Sequence, residues 1–378
     1  MAAMDAIADV LDELRAGRMV VLVDDERREN EGDLVCAAEF VQPATVNFMV
    51  SRGRGLLCVA LDGSICDGLD LGPQTAANTT QLATAYTVTV DAAPKHGITT
   101  GVSAADRATT IRKLADPDAA PADFARPGHI NPLRARDGGV LVRTGQTEGS
   151  VDLCRMAGLR PAAAIIEVMN EDGTMARLPE LEQLCHEHGL KMCSVADVIA
   201  QRVRGEAMVE RVEQATLETQ YGRFELIAYR SKVDALPHVA LVKGRVGREV
   251  IDEPVLVRVH SQNLLGDVFG AADEPSGRTL HEAMRMIESA GEGAVVYMRQ
   301  DGMGTGLLAR LHSLAGQAGP PVEVRQAMDK FDFGIGSQII RDLGIRQMRL
   351  ITNHPPHLHG LDGFGLHIVE TVRTQQKR

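Results

Sequence analysis

The residues best suited to chemistry form one dense run near the amino end of the chain. Residues 24–33 contain six carboxylates and two guanidinium groups within ten positions. They follow the apolar residues 19–23, which predict a buried strand, so the charges lie at the carboxyl end of that strand. Ligands bind at such strand ends in open α/β folds. The run therefore predicts a phosphate and metal site, and the alternative is a solvated loop of alternating charge.

Further polar side chains recur at the ends of predicted strands or in loops of the first half. Such a set can clamp a phosphate, hold a hard cation on carboxylate oxygen and supply an acid or base. Its members are Arg28, Glu29, Asp33, Thr99, Thr100, Arg107, His129, Arg143, Thr147 and Glu167. His129 follows Pro127 and Gly128, which restrict the backbone, and it is either catalytic or structural.

Composition limits the classes of protein. The 378 residues, 44% of them hydrophobic, suffice for two domains with separate cores. A net charge of −11 argues against a nucleic-acid partner but leaves room for a small sugar phosphate. No signal peptide or apolar membrane span is evident, which predicts a cytoplasmic protein without a membrane partner. The last of the six cysteines is Cys193, so a metal site in the second half would lack thiolate ligands.

Predicted strands interleave with predicted helices along both halves of the chain. This order indicates the α/β (α+β) class, with two mixed α/β domains at 1–205 and 214–378. The charged stretch 201–214 is predicted to connect them. The specific expectations include strands at 86–90 and 140–142 and helices at 104–114 and 178–188.

Four motifs in the first half carry a family resemblance. They are RENEGD at 28–33, GITTGVSAADR at 97–107, RPGH at 126–129 and NEDGTMAR at 170–177. Together they resemble 3,4-dihydroxy-2-butanone 4-phosphate synthase over roughly the first two hundred residues, in the family's order. The resemblance implies a lyase of riboflavin synthesis that converts D-ribulose 5-phosphate to 3,4-dihydroxy-2-butanone 4-phosphate and formate.

The resemblance also implies roles for individual residues. Glu29 is the expected ligand of Mg²⁺ or Mn²⁺, Arg28 and Asp33 hold the sugar phosphate, and His129 and Glu167 are essential for catalysis. Asp33 joins these two as a catalytic residue. The full set expected to bind substrate is Arg28, Glu29, Asp33, Thr100, Arg143, Gly145, Gln146, Thr147 and Glu167. The implied reaction passes through an enediolate, which a divalent cation would stabilise while a carboxylate and a histidine move protons.

One position departs from the family pattern. The second metal ligand of that family is a histidine within Gly-His-Thr-Glu, and this chain has Gln146 there. A glutamine offers a neutral carbonyl oxygen, which Mg²⁺ accepts, but it cannot titrate near neutral pH. Gln146 is therefore predicted to be an altered metal ligand.

The second half resembles GTP cyclohydrolase II. The resemblance rests on RVHS at 258–261, LGDVF at 265–269, RQDG at 299–302, FGIGSQ at 333–338 and LITN at 350–353. That family holds zinc with three cysteines, and the matching positions here are Asn263, Glu274 and Ser276, while its arginine nucleophile falls on Phe331. The resemblance thus implies the fold without zinc and without GTP cyclohydrolase II activity.

Three hypotheses follow from these observations. The first is the lyase, and the second is a non-catalytic regulator or scaffold of riboflavin enzymes, suggested by Gln146 and the altered second domain. The third is a related sugar-phosphate rearrangement changed by Gln146. The resemblance further implies a homodimer.

Overall fold

The computed structural model describes residues 4–26, 28–80, 82–232, 236–273, 276–299, 333–353 and 361–374. The chain divides into two compact units, Met1–Arg202 and Val203–Arg378. Each contains one mixed seven-stranded sheet among the described residues, which confirms the predicted class of two mixed α/β domains. In the described part of the chain, no helix is both long and apolar enough to cross a bilayer.

The first unit orders its strands β4-β5-β3-β6-β2-β1-β7. The strands are β1 Val20–Val23, β2 Gly32–Ala37, β3 Cys58–Leu61, β4 Val90–Ala92, β5 Phe124–Arg134, β6 Ala162–Glu167 and β7 Lys191–Ser194. The helices are α1 Ile7–Arg15, α2 Pro43–Phe48, α3 Gly63–Gly68, α4 Ala104–Ala115, α5 Gln146–Met156, α6 Leu178–His188 and α7 Val195–Gly205. Strand β1 is buried along its whole length because all four of its side chains are aliphatic.

The second unit orders its strands β14-β13-β11-β12-β10-β9-β8. The strands are β8 Val209–Thr219, β9 Gly222–Ser231, β10 His238–Lys243, β11 Val255–Ser261, β12 Gly293–Met298, β13 Gln347–Ile351 and β14 His367–Val372, with helices α8 Ser276–Ala290 and α9 Phe333–Asp342. Helix α8 packs an apolar stripe that includes Ala283, Met284 and Ile287 into a core with Phe224 and Val295.

Two local predictions were wrong. Residues 140–142 lie in and just after the short 3₁₀-helix Gly139–Leu141. In the run at 86–90, Tyr86 and Thr87 form only isolated bridges, and Val90 is the first residue of β4.

The charged stretch 201–214, predicted to connect the domains, contains the boundary between the two compact units. It also holds the end of α7 and the start of β8, with only 206–208 between them. The side chains of β8 are mostly polar and exposed, as expected for an edge strand.

Candidate active site

Arg28 joins the charged run to the start of α5. Its Nη1 donates hydrogen bonds to Oδ2 of Asp24 at 2.7 Å, Oε2 of Glu29 at 2.8 Å and Oε1 of Gln146 at 2.7 Å. Burial opposes its charge, but Glu29 and Asp24 raise the pKa of Arg28, so the guanidinium stays cationic. Three predicted site residues, Arg28, Glu29 and Gln146, therefore meet around one cationic nitrogen.

A second buried arginine, Arg143, precedes α5 and contacts the first turn of that helix. Nη1 of Arg143 donates to Oε2 of Glu148 at 2.6 Å, and Gln146 and Thr147 are buried beside them. A Cβ atom on Gly145 would lie 2.6 Å from Nη1 of Arg143 and 3.0 Å from Nη2 of Arg28. Glycine at this position thus lets the helix begin against both guanidinium groups. Glu148 was missed as a site residue, although it completes the Gly-Gln-Thr-Glu motif.

Two acidic residues of the predicted set face each other across neighbouring strands. Asp33 on β2 pairs in register with Glu167 on β6. Burial, and then the charge of Glu167, raise the pKa of Asp33 well above its ordinary value. Oδ1 of Asp33 is buried without a hydrogen-bond partner among the described residues, whereas Oε2 of Glu167 accepts from the Leu56 backbone N at 2.8 Å. Asp33 is therefore the member of this pair suited to hold a proton.

Neighbouring groups add to the negative field around this pair. Burial, followed by the charge of Glu29, raises the pKa of Glu31. Burial raises the pKa of Tyr86 to about 12, with further contributions from Cys58, Glu167, Glu29 and Asp33. The carboxylates of the charged run and Glu167 on β6 are thus close enough to repel one another, and a bound cation would reduce that repulsion.

His129 lies on β5, at the same end of the strands as the Asp33–Glu167 pair. Strand β3 pairs Cys58 with Asn131 on one side and with Ile165 on the other. Two residues before Cys58, the same registers place Leu56 opposite His129 on one side and opposite Glu167 on the other. The His129 ring contacts Asp91, a residue that the sequence analysis missed, with Nδ1 2.7 Å from Oδ2. Thr100 is exposed on the loop between the short 3₁₀-helix at Pro94–His96 and α4.

Comparisons with known proteins identify the family of the chain. A sequence profile of 3,4-dihydroxy-2-butanone 4-phosphate synthase matches residues 8–201, and one of GTP cyclohydrolase II matches residues 210–373. The chain belongs to the 3,4-dihydroxy-2-butanone 4-phosphate synthase family. Riboflavin biosynthesis protein RibBA of Phocaeicola vulgatus is 48% identical over 98% of this chain and 92% of the relative. RibBA of Aquifex aeolicus is 47% identical over 97% and 92%.

Solved structures of the synthase family are also similar. RibBX of A. baumannii, described as a two domain 3,4-dihydroxy-2-butanone 4-phosphate synthase, aligns with a TM-score of 0.67 and 37% identity over 97% of this chain and 99% of that one. A 3,4-dihydroxy-2-butanone 4-phosphate synthase in complex with two magnesium ions aligns with a TM-score of 0.51 and 43% identity, over 53% of this chain and 98% of that one.

The residues around Arg28 supply two oxygen donors of the kind that magnesium prefers. Oε2 of Glu29 and Oε1 of Gln146 both lie within 2.8 Å of Nη1 of Arg28, so the two oxygens are close together and the guanidinium holds the position between them. Mg²⁺ prefers oxygen ligands and is commonly bound through one or two protein groups together with substrate oxygens and water. Among the described residues, no cluster of three or more His, Cys, Asp or Glu side chains is arranged to hold a metal. An ion here would therefore rely on the amide of Gln146.

Asn263 and Ser276, which the family resemblance places at zinc positions, make hydrogen bonds within the second unit. Oδ1 of Asn263 accepts from the Gly266 backbone N at 2.9 Å, and Oγ of Ser276 donates to Oδ1 of Asp267 at 2.7 Å. Burial opposes ionisation of Asp267, but hydrogen bonds from His260, Asn263 and Ser276 lower its pKa to about 2. Glu274 and Phe331 lie outside the described residues.

Beside this network the second unit contains an open cavity of about 460 Å³. Its lining includes Asp267, Phe269, Arg278 and His281. The His281 ring stacks on Tyr221 with centroids 4.6 Å apart, and burial, followed by Arg285, lowers its pKa. The cavity therefore combines a carboxylate, an arginine and an imidazole whose charged form is disfavoured.

Proposed function

We propose that this protein converts D-ribulose 5-phosphate to 3,4-dihydroxy-2-butanone 4-phosphate and formate in riboflavin biosynthesis. The observation that carries the proposal is the pairing of Asp33 with Glu167 in a region where Arg28 joins Glu29 to Gln146. A reaction through an enediolate needs groups that move protons beside a site that accepts negative charge. Membership of the synthase family supports the same conclusion.

The chain's own residues divide the chemistry between them. Asp33, whose pKa is raised by burial and by Glu167, can carry a proton to or from the substrate. Glu167, held through Leu56, and His129, held through Asp91, are the other proton carriers. Arg28 and Arg143 offer guanidinium groups for the phosphate, since a planar guanidinium can bind phosphate oxygens in pairs.

Glu29 and Gln146 would hold the magnesium ion, and Mn²⁺ is the other cation proposed. When bound, the ion would supply electrostatic stabilisation of the enediolate oxygens. Glu29 contributes the charged ligand and Gln146 a neutral one. We retain the homodimer as a proposal that rests on the family resemblance.

We further propose that the second domain carries no GTP cyclohydrolase II activity and no zinc. The chain has no cysteine after Cys193, and Asn263 and Ser276 at the matched positions are hydrogen-bonded within the protein. A closed or catalytic zinc site needs three or four N, S or carboxylate ligands. A side-chain amide and a hydroxyl are weak substitutes for them.

The decisive experiment measures formate release by the purified full-length chain with ribulose 5-phosphate and Mg²⁺. We expect turnover in the wild type and a loss of about 10²-fold or more in Glu167→Gln, as for removal of a group that transfers a proton. Glu171→Gln is the matched control, because Glu171 is an exposed carboxylate in the same unit. Equal rates in the two variants would contradict the role of Glu167, and no formate from the wild type would overturn the proposed function.

A second candidate is a ligand-binding or regulatory role for the second domain. The cavity beside Asp267 favours it, because a cavity persists where the zinc ligands have changed. Calorimetric titration with GTP, followed by product analysis, separates the cases. Binding without hydrolysis supports regulation, whereas release of formate from GTP would show that the cyclohydrolase activity is present. If Gln146 alters the chemistry of the first domain, mass spectrometry would detect a different sugar-phosphate product.

A further inference from the structure

A single carboxylate holds both the side chain and the backbone of His129. Oδ2 of Asp91 lies 2.7 Å from Nδ1 of the His129 ring, and Oδ1 of Asp91 accepts a hydrogen bond of 3.0 Å from the backbone N of His129. The carboxylate is 11% exposed, whereas the His129 side chain is 49% exposed. The ring is therefore fixed on its inner side and open to solvent on its outer side.

Two glycines make room for this pair. Gly128 lies against the backbone of Val90 and Asp91, and a Cβ atom there would overlap both residues. Gly101, at φ +86°, lies over the pair, and a Cβ atom there would be 2.6 Å from Nδ1 of His129. Each glycine is needed because the neighbouring strand or ring approaches too closely for a larger residue.

The loop that carries Gly101 is anchored by Asp106. Oδ2 of Asp106 accepts from Oγ1 of Thr99 at 2.7 Å and from the Gly101 backbone N at 3.1 Å. Ser103, the N-cap of α4, accepts from the Asp106 backbone N at 3.0 Å. The motif at 97–107 thus holds the loop against the Asp91–His129 pair, which gives this motif a structural purpose.

We infer that Asp91 is a positioning residue that fixes the tautomer and orientation of His129 for proton transfer, an inference that rests on the proposed function. A carboxylate at Nδ1 favours the tautomer with the proton on Nδ1, because a carboxylate can only accept. The lone pair is then on Nε2, which can take a proton from the substrate while the electron pair stays on the substrate. Asp91 also stabilises the imidazolium that results, as in other Asp-oriented histidines.

The variant Asp91→Asn tests this inference. The amide keeps an acceptor for the His129 backbone, but its NH₂ group would donate to Nδ1 and move the ring proton to Nε2. We expect kcat to fall about 10²-fold with KM changed less than about threefold, in the range seen when a histidine loses its orienting carboxylate. In the His129→Gln background the same change should cost almost nothing, because the group it positions is absent.

A spectroscopic measurement tests the tautomer without any turnover. The chain has 12 histidines, so the His129 signals in ¹⁵N-labelled protein are assigned by their loss in His129→Gln. At alkaline pH, where imidazole is neutral, we expect protonated Nδ1 in the wild type and protonated Nε2 in Asp91→Asn. Protonated Nε2 in the wild type would overturn the inference, even if the variant failed to fold.

A second Asp–His pair in the same unit provides the control. Oδ1 of Asp123 lies 3.0 Å from Nε2 of His96, and neither residue belongs to the candidate site. Asp123→Asn should lower the melting temperature and leave kcat within about twofold of wild type, as expected for a change outside the chemistry. If the wild type is active and Asp91→Asn leaves kcat unchanged, only the positioning role is refuted. If the wild type is inactive, the proposed function is refuted, and the tautomer measurement decides this inference.

Discussion

Arg28 donates a hydrogen bond of 2.7 Å from Nη1 to Oε1 of Gln146, although 118 residues separate them in sequence. The same nitrogen lies 2.8 Å from Oε2 of Glu29. Gln146, which stands where the family has a histidine ligand, therefore still directs an oxygen at a positive charge. Arg28 holds Glu29 and Gln146 near each other, and a metal ion would have to compete with this guanidinium for the two oxygens.

Restoring histidine at position 146 should strengthen binding of Mn²⁺. Imidazole nitrogen binds this cation better than an amide oxygen does, so Gln146→His is expected to raise the Mn²⁺ affinity about tenfold or more. Gln146→Ala should lower it. Electron paramagnetic resonance titration with MnCl₂ measures both without turnover. Gln183→His, on the exposed face of α6, is the control for an added histidine. Equal affinity in wild type, Gln146→His and Gln146→Ala would show that residue 146 is not a ligand.

Arg28 should also stabilise the fold, because it neutralises a buried carboxylate. The side chains of Arg28 and Asp24 are 6% and 0% exposed, and Nη1 and Oδ2 are 2.7 Å apart. Arg28→Met leaves Asp24 buried without this partner, which is expected to lower the free energy of unfolding by about 3–5 kcal/mol. Adding Asp24→Asn should recover part of that loss. Urea unfolding monitored by circular dichroism measures these changes.

A surface ion pair provides the comparison for Arg28. Arg134 and Asp67 are 2.6 Å apart but 35% and 70% exposed. Arg134→Met should therefore cost no more than about 1 kcal/mol. If Arg28→Met lowered the free energy of unfolding by a similarly small amount, Asp24 would not depend on Arg28 to balance its charge.

Much of the fold was predictable because local patterns dominate it. Helix α6 begins and ends where the sequence predicts, at Leu178–His188, since an apolar stripe precedes Gly189, whose φ of +63° ends the helix. The charged run was recognised from its composition, and Arg28, Glu29 and Gln146 do meet. Residue type and strand position predicted Arg28 and Glu29, whereas Gln146 was predicted from the family resemblance.

The remainder depends on contacts between distant segments. Strand β5 contains two prolines, which disfavour a strand, yet it pairs with both β3 and β4. Asp91 was missed because nothing in the sequence near position 91 indicates His129, 38 residues away. Tertiary pairing overrides local propensity in such strands, so one sequence alone could not reveal this partner.

Asp33 should make stability depend on pH in an unusual direction for a carboxylate. Burial and Glu167 raise its pKa well above the ordinary value of 3.8. A carboxyl with a higher pKa in the folded state stabilises the fold below its unfolded pKa, and this contribution is lost as the pH rises through the folded pKa. Asp33→Asn removes the ionisation, so it should raise the melting temperature at neutral pH, with the gain vanishing near pH 3.8 and below.

The same substitution should reduce formate release about 10²-fold or more, since a group that carries a proton is lost. Asp172 gives a control of opposite sign, because a hydrogen bond from Thr174 lowers its pKa. Asp172→Asn should therefore gain no stability at neutral pH. Thermal unfolding from pH 3.5 to 8 checks both variants, and a loss of stability in Asp33→Asn that is equal at all pH values would contradict the raised pKa.

The second domain should regain zinc, but not GTP turnover, when cysteines replace Asn263, Glu274 and Ser276. Three thiolates supply the usual protein ligands of such a site, so the triple variant should bind about one zinc per chain, measured by mass spectrometry of the metal after dialysis. The double variant Asn263→Cys with Ser276→Cys is the control and should bind zinc more weakly. The family resemblance places Phe331 at the position of the arginine nucleophile, so hydrolysis of GTP should remain undetectable in the triple variant. Stoichiometric zinc in the wild type, or GTP hydrolysis by it, would contradict the proposal that this domain has lost the cyclohydrolase chemistry.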